Sequence, residues 1–135
     1  MATFNKFNSF VAEIANAGHN LASDQITVAL TNTLPVAGDS LLVDVAEIVY
    51  TNLSSRDVTT TSSTQTGGTY NLVLVDLVLT ASGAVPTFQY VVVYNSTAAG
   101  GKLIGWYDYG SPVTMASAET FTIDFTDAQT LFSLA

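Results

Sequence analysis

The fold is decided by the stretch YNLVLVDLVLTASGAVPTFQYVVVYNSTAAGGKLIGWYDY, residues 70–109. It contains three runs rich in apolar, β-branched and aromatic residues, namely Tyr70 to Leu79, Thr87 to Tyr94 and Leu103 to Tyr109. Clusters of Gly, Ser and Pro separate the runs. This pattern predicts three β-strands joined by turns.

The middle run is apolar on both of its predicted faces. Strict alternation places one set of four residues on the same face, Phe88, Tyr90, Val92 and Tyr94. The opposite face carries Val91 and Val93 beside two polar residues. A strand that is apolar on both sides needs a second layer, a second copy of the chain or a larger body to cover it.

Composition limits the class of protein. The chain has 135 residues, is 48% hydrophobic and only 10% charged, and carries a formal net charge of -8. Its cations are Lys6, Arg56 and Lys102, which are too few and too scattered to neutralise nucleic-acid phosphates or an anionic membrane surface. There is no cysteine, so disulfides and thiol chemistry are excluded. We expect no nucleic-acid partner and no membrane partner, and neither a signal peptide nor a spanning helix is recognisable.

Near the N-terminus the spacing changes to that of a helix. Four apolar residues recur at helical intervals, Phe7, Phe10, Val11 and Ile14. They predict one amphipathic helix over about residues 4–17, with Thr3 or Asn5 as the N-cap and Gly18 as the C-cap. Two roles stay open: the helix closes the core of its own chain, or it acts as an arm that packs against a neighbouring subunit.

Three further segments complete the first half of the chain. Ile26 to Thr31 alternates as a half-buried strand that ends before Pro35. Residues 39–50 fit either a short helix or a strand, and we favour a short turn of helix. Residues 51–69 are rich in Ser, Thr and Gly, which predicts a loop or an edge strand and a candidate contact loop.

In the second half, Asp76 interrupts an apolar run, and we expect a bulge or kink that turns its carboxylate outward. Gly110 to Pro112 predicts a turn after the third run. Phe121, Ile123 and Phe125 alternate with polar residues as a strand with one core face. The final apolar patch either pairs as a closing strand or docks on the core, and comprises Leu131, Phe132 and Leu134.

These elements predict one domain over residues 1–135, with a β-rich body over about residues 25–135. The fold class is mainly β, an antiparallel β-sandwich or barrel-like fold with one N-terminal amphipathic helix.

No constellation of chemical groups stands out, so we predict no enzyme, cofactor or metal site. A single His and no Cys exclude an ordinary zinc site, and His19 at the predicted helix end favours an interaction with the helix C-terminus or solvent over catalysis. Asp108, or Asp124 with Asp127, could bind calcium, but the surrounding loops lack the dense oxygen ligands of such sites. Trp106 and its neighbouring tyrosines fit core or interface packing better than a sugar-stacking platform.

The chain resembles small structural proteins of tailed bacteriophages. Three stretches carry the resemblance: MATFNKFNSFVAEIANAGHNLASDQITVALTNTLPV, SSTQTGGTYNLVLVDLVLTASG and YVVVYNSTAAGGKLIGWYDYGSPVTMASAETFTIDF. It implies a virion component, either a head decoration (cement) protein that binds assembled capsid subunits, or a tail or adaptor protein, with a receptor- or carbohydrate-binding module as a variant of the latter.

The residues and the resemblance together lead to one set of expectations. The partners are further copies of the chain in a homo-oligomer, and the major capsid protein or other virion proteins. The surplus aromatic and apolar residues are expected to form the contact surface, which comprises Phe7, Phe10, Tyr90, Tyr94, Trp106, Tyr107 and Tyr109.

Overall fold

A computed structural model describes residues 2–125 and the backbone of residues 130–134. Met1, residues 126–129 and Ala135 lie outside this range, and with them Asp127 of the predicted carboxylate pair. The described chain contains helix α1, Asn8–Ala15, and a 3₁₀ turn, Leu42–Asp44. Its strands are β1 Thr3–Lys6, β2 Ile26–Thr31, β3 Asp57–Val58, β4 Thr60–Thr66, β5 Thr69–Leu74, β6 Leu77–Thr80, β7 Val85–Asn95, β8 Lys102–Met115, β9 Thr120–Ile123 and β10 Thr130–Leu134.

All strand pairs are antiparallel, which confirms the predicted fold class. A five-stranded sheet has the order β1-β8-β7-β2-β3, a three-stranded sheet has the order β10-β5-β4, and β6 pairs with β9. Side chains from all three sheets meet in one main core, to which β2 contributes Val28, β5 contributes Leu72 and β9 contributes Ile123. The main core therefore lies between the layers of a β-sandwich, and the five-stranded sheet forms one of those layers.

The five-stranded sheet is also covered on its other side. We call the second group of buried residues the outer-face cluster, and it comprises Phe7, Ala29, Val92, Tyr94, Leu103 and Trp106. Leu42 and Val45, from the segment around the 3₁₀ turn, pack against it. The apolar character of both strand faces is thus accounted for by segments of the same chain.

A register shift divides the predicted aromatic face of β7. Phe88 packs in the main core with Val91 and Val93, whereas Tyr90 packs against the outer-face cluster. The prediction that Phe88 and Tyr90 share a face is wrong because the pairing with β8 slips between them. Regular alternation of faces is expected only where a strand is regularly paired, and register shifts on both sides of Phe88 interrupt that pairing.

The same irregularity explains why the turn predicted at Gly110 to Pro112 is wrong. Strand β8 continues to Met115, and the residues between Asp108 and Val113 have no Cα partner in β7. Gly110 has a φ of +78°, and its N–H donates to the Asp108 carboxylate at 2.8 Å. A glycine turn motif here serves a bulge inside a long strand instead of a chain reversal.

The N-terminal helix is shorter than its sequence pattern indicates. Residues Thr3–Lys6 form β1 instead, an edge strand whose backbone pairs with β8, so Thr3 and Asn5 are not caps. Phe7 occupies the N-cap position without a side-chain cap. Gly105 of β8 permits the close approach of β1, because a Cβ there would lie 2.6 Å from the Asn5 carbonyl oxygen.

The left-handed residue that ends helix α1 is Ala17, one position before the predicted Gly18. Ala17 has a φ of 60°, and the Gly18 N–H donates to the Glu13 carbonyl at 2.7 Å, which is the hydrogen bond of a Schellman ending. Gly18 is still required, because the Glu13 side chain lies directly over it. That side chain pairs with Lys102 at 2.9 Å and joins the end of α1 to the β7–β8 hairpin.

The apolar run at residues 70–79 is two strands in two sheets. The chain leaves β5 at Leu74 and enters β6 at Leu77, and the exposed Asp76 between them confirms the predicted kink. The Asp76 carboxylate accepts a hydrogen bond from the Phe125 N–H at 3.0 Å, which fixes the chain beyond β9. The Asp76 carboxylate is therefore not an uncompensated buried charge, because it is exposed to solvent and accepts a backbone hydrogen bond.

Three other sequence predictions are confirmed. The turn of helix in residues 39–50 is the 3₁₀ turn, and the polar residues 51–69 include the edge strand β4. Within this polar segment, Gly67 and Gly68 form the turn between β4 and β5. Strand β10, with the final apolar patch, pairs with β5 as a closing strand.

Candidate contact surface

The seven residues predicted to form a contact surface do not share one exposed face. Five of them are buried inside the chain, each with no more than 7% of its surface exposed: Phe7, Phe10, Tyr94, Trp106 and Tyr107. Only Tyr90 and Tyr109 are half-buried. The five buried rings are used in intrachain packing, because both sides of the five-stranded sheet are covered by the protein itself. A contact role stays a prediction for Tyr90 and Tyr109.

Trp106 illustrates how the outer-face cluster is closed. Its ring centroid lies 4.6 Å from that of Phe7, which immediately precedes α1. The indole Nε1 is buried without a hydrogen-bond partner among the described residues. With its ring covered in this way, Trp106 offers no open aromatic surface for a sugar to stack upon.

Tyr109 and Tyr107 lie on the core side of β8. The Tyr109 ring contacts Phe121 at 5.0 Å, and burial, followed by the nearby Asp124 carboxylate, raises the pKa of the Tyr109 phenol to about 12. Burial likewise raises the pKa of Tyr107, whose hydroxyl has no partner within the described chain. Both phenols are therefore neutral at physiological pH and contribute packing rather than acid–base chemistry.

His19 is buried in a polar network that the sequence did not predict. The fully buried Asn95 uses its Nδ2 for two contacts, to His19 Nδ1 at 3.1 Å and to the Asp24 carboxylate at 2.6 Å. Asn95 Oδ1 accepts the backbone N–H groups of Thr97 and Ala98. The network joins the loop after α1 to the β7–β8 connection, so the predicted interaction of His19 with solvent or the helix end is wrong.

This geometry fixes the tautomer and the charge of His19. Because Asn95 Oδ1 accepts two backbone N–H groups, Nδ2 is the atom that faces His19, and His19 Nδ1 must accept. The imidazole proton is then on Nε2, which is buried without a partner among the described residues. Burial lowers the pKa of His19 and Lys102 adds to the effect, while Glu13 and Asp24 oppose it. His19 therefore behaves as a neutral structural residue.

A groove of about 650 Å³ lies beside this network. One wall is the chain from Ile14 to Ala22, at and beyond the end of α1, and the other wall is formed by Ser63 and Tyr70 of the β4–β5 hairpin. The Ser63 and Tyr70 hydroxyls hydrogen-bond to one another at 2.7 Å. The groove is mainly apolar and lies next to an edge of the three-stranded sheet.

The most exposed aliphatic side chains lie in one segment, residues 34–49. Val43 is 84% exposed, and Leu34, Val36 and Val49 are each more than half exposed. Leu34 and Val36 line a depression of about 110 Å³ together with carboxylates of the same segment. Contiguous exposed apolar surface is typical of sites that contact another protein, and Leu34 and Val36 share one such depression.

Backbone hydrogen bonds hold this segment in place. The Asp44 carboxylate accepts the N–H groups of Ser40 and Leu41 at 3.1 Å each, and these bonds lower the pKa of Asp44. The Asp39 carboxylate accepts the Val36 N–H at 3.1 Å. The Ile48 N–H donates to the Leu30 carbonyl at 2.9 Å, which ties the far end to β2. The exposed aliphatic groups are thus presented by a fixed loop with acidic residues around them.

The three-stranded sheet contains no charged residue, a property that it shares with the β6–β9 pair. No Asp, Glu, Lys or Arg occurs from Val58 to Val75, which includes β4 and β5, and none occurs in β10. Leu72 and Leu74 of β5 point into the main core, so alternation places Val73 on the opposite face. The outward face of β4 and β5 is therefore built from Ser, Thr, Asn and Val.

The carboxylates do not assemble a metal site in the described chain. No group of three or more His, Cys, Asp or Glu side chains that could hold an ion occurs within residues 2–125 and 130–134. Asp108 instead accepts hydrogen bonds from Gly110 N–H and Gln89 Nε2.

None of the helices in the described residues is both long and apolar enough to cross a membrane.

Two features of the contact surface were missed by sequence reasoning. The prediction of a short helix or a strand for residues 39–50 did not indicate that Val43 and Val49 are exposed, and no element was predicted for Leu34 and Val36. The Asn95 network depends on residues far apart in the chain. The run of uncharged residues from Val58 to Val75 was visible in the sequence, but residues 77–101 form a longer uncharged run that includes β6 and β7, so absence of charge alone does not identify the three-stranded sheet.

Comparison with known proteins gives no relative, because no family model, curated protein or solved structure matches the chain.

Proposed function

We propose that this chain is a structural protein of a bacteriophage virion, chiefly a capsid decoration protein that binds assembled capsid subunits through its 34–49 segment. The observation that carries the proposal is the fixed loop of exposed aliphatic side chains, with Val43 at 84% exposure. The resemblance of the sequence to small phage structural proteins supports the assignment to the virion.

The chemistry of the 34–49 segment indicates what its partner surface must offer. Its aliphatic groups favour an apolar patch on the partner. Asp39, Asp44 and Glu47 belong to the same segment and no cation does, so Lys or Arg at the rim of the partner patch would complement it. Arg56 of this chain lies 3.9 Å from Glu47 and neutralises part of the acidic rim.

A protein of this kind stabilises a shell by mass action. Each copy that binds assembled subunits, and not free ones, shifts the equilibrium toward the assembled shell. Contacts that are individually weak suffice when many copies act on one particle. The fold suits this role because its own core is complete while the 34–49 segment stays exposed.

The test uses empty capsid shells of the phage that encodes the chain. We expect the purified protein to co-sediment with the shells and to raise their thermal disruption temperature. Absence of both effects would overturn the decoration role, and binding to isolated tails instead of shells would replace it with the tail or adaptor alternative.

Matched variants test the surface. Val43→Asp should lower shell binding at least about tenfold, because a charge enters the apolar contact. Val78→Asp is the control, since Val78 is 52% exposed on β6, outside the 34–49 segment. Equal binding by both variants would show that the 34–49 segment is not the contact surface. Whether the wild-type protein binds shells is decided separately by the co-sedimentation experiment.

A further inference from the structure

We propose that β4 pairs antiparallel with the β4 strand of a second copy, across a two-fold axis, to join two three-stranded sheets into one. The inference deepens the proposed function, on which it rests, by naming the surface through which copies associate. It starts from the sheet order, in which β4 ends its sheet and no strand in the described part of the chain pairs with its other edge.

The sheet edges of the molecule are not equivalent. At the ends of the five-stranded sheet, β1 has four residues and includes Lys6, and β3 has two residues and includes Asp57. Strand β4 has seven residues, TTSSTQT, with neither charge nor proline. Short length, charge, proline and β-bulges are the usual means by which proteins prevent edge-to-edge pairing. Strand β4 has only a register shift between Thr60 and Ser62, and Ser62 to Thr66 pair regularly with β5.

Charge identifies a second copy as the partner. The chain has a net charge of -8, so two copies repel one another over most orientations. The three-stranded sheet contributes no charge to that repulsion, because β4, β5 and β10 contain no charged residue. Approach through this sheet keeps the carboxylates of both copies away from the contact.

The sequence of β4 is complementary to itself in an antiparallel arrangement. With Ser63 at the two-fold axis, Ser62 of each copy lies opposite Thr64 of the other, and these two residues share a sheet face. Hydroxyl side chains paired across strands form favourable hydrogen-bonded pairs. The groove lined by Ser63 and Ile14 adds apolar surface beside the paired strands, which the polar strand itself does not supply.

A charge-reversal experiment at Thr64 tests the pairing. Thr64 is exposed, so Thr64→Lys and Thr64→Glu should both fold. In the paired arrangement the two copies of residue 64 are diagonal neighbours, and like charges there should weaken self-association roughly tenfold in sedimentation velocity. An equimolar mixture of the two variants should associate again, because the diagonal pair is then Lys with Glu.

The control is Thr122→Lys, which places the same charge on an exposed threonine of β9 and should leave self-association unchanged. A monomeric wild type, an unaffected Thr64→Lys variant or a mixture that fails to associate would each overturn the proposal. Hydrogen exchange of the wild type gives a second measurement, since β4 amides should gain protection as concentration rises. Unchanged protection would also overturn it.

Shell binding separates this inference from the proposed function. Thr64→Lys should still bind capsid shells through the 34–49 segment, with reduced avidity. Dimers that do not bind shells would overturn the decoration role alone, and monomers that bind shells would overturn the β4 pairing alone.

Discussion

The five-stranded and three-stranded sheets differ in how each meets its surroundings. The five-stranded sheet carries most of the aromatic residues predicted for contact, yet its own chain covers it on both sides, with Phe7 and Leu42 closing the outer face. In the three-stranded sheet, Leu72 and Leu74 of β5 point into the core, whereas the outward face of β4 and β5 is uncharged and no described strand pairs with the outer edge of β4. The five-stranded sheet is internal, and the β4 edge of the three-stranded sheet is the surface that we propose for a partner.

The comparison teaches that apolar content and contact function are separate properties of a strand. Aromatic density on β7 and β8 indicates burial, and a single chain can provide that burial with an N-terminal segment and one loop. Absence of charge is informative only on an exposed strand such as β4, because the uncharged residues 77–101 include the largely buried strand β7.

The largest expected loss of stability tests directly whether the two sheets differ in how their faces are covered. Val92→Asp places a charge in the outer-face cluster, where Val92 is fully buried, and should cost more than about 4 kcal/mol of unfolding free energy. Val73→Asp, on the outward face of β5, should cost within about 1 kcal/mol. Urea denaturation followed by circular dichroism measures both. A stable Val92→Asp variant would mean that the outer face is open after all.

Phe7→Ala tests the cover itself. Phe7 is fully buried against Trp106, so truncation should lower the unfolding free energy by about 3–5 kcal/mol. Phe7→Leu keeps most of the volume and should cost less than about 1.5 kcal/mol. Trp106 is the only tryptophan, and its fluorescence should shift to longer wavelength in Phe7→Ala as water reaches the ring. Equal stability of the two variants would show that Phe7 does not seal the cluster.

The pH dependence of stability tests the hydrogen bond between His19 and Asn95, which links the loop after α1 to the β7–β8 connection. Since the folded protein holds the pKa of His19 below 6.5, the unfolded chain binds the proton first as pH falls. The stabilisation is therefore complete above pH 6.5 and is lost as pH decreases from there toward the lower folded pKa. Thermal melts on each side of this pH should show a smaller decrease in Tm for His19→Gln than for the wild type. An identical decrease would show that His19 does not cause the pH dependence.

The smallest effect is expected at the 34–49 segment. Val43→Ala should change the unfolding free energy by less than about 0.5 kcal/mol, because the side chain is 84% exposed and contributes little to the core. The matched substitution Val28→Ala removes a fully buried side chain of β2 and should cost several times as much. A large loss for Val43→Ala in thermal denaturation would show that the segment packs against its own chain.

Predictions from the sequence were accurate where apolar and polar residues alternate along a regularly paired strand. Ile123 and Phe125 are fully buried while Thr122 and Asp124 are exposed, as alternation predicts. The break at Asp76 was predictable because a charge in an apolar run must reach water or a donor.

Other features depend on partners that alternation does not reveal. The bulge between Asp108 and Val113 uses residues that fit a turn equally well, and only the pairing with β7 distinguishes the two. Strand β1 was missed because Phe7 and Phe10 continue a helical spacing past the true start of α1. For the contact surface, the 34–49 segment was hidden because aliphatic residues in a loop look like core residues until their neighbours are known.

The pairing of β10 with β5 also has a consequence for the order of folding. Strand β5 is translated well before β10, and the intervening residues include both long strands, β7 and β8. Pairings between distant segments close late, because the loop entropy must be overcome before the contacts form. Until β10 arrives, the β4–β5 hairpin has two open edges, so a nascent chain can pair at the wrong one. We expect refolding yield to fall as protein concentration rises, even though the native protein tolerates the same concentrations.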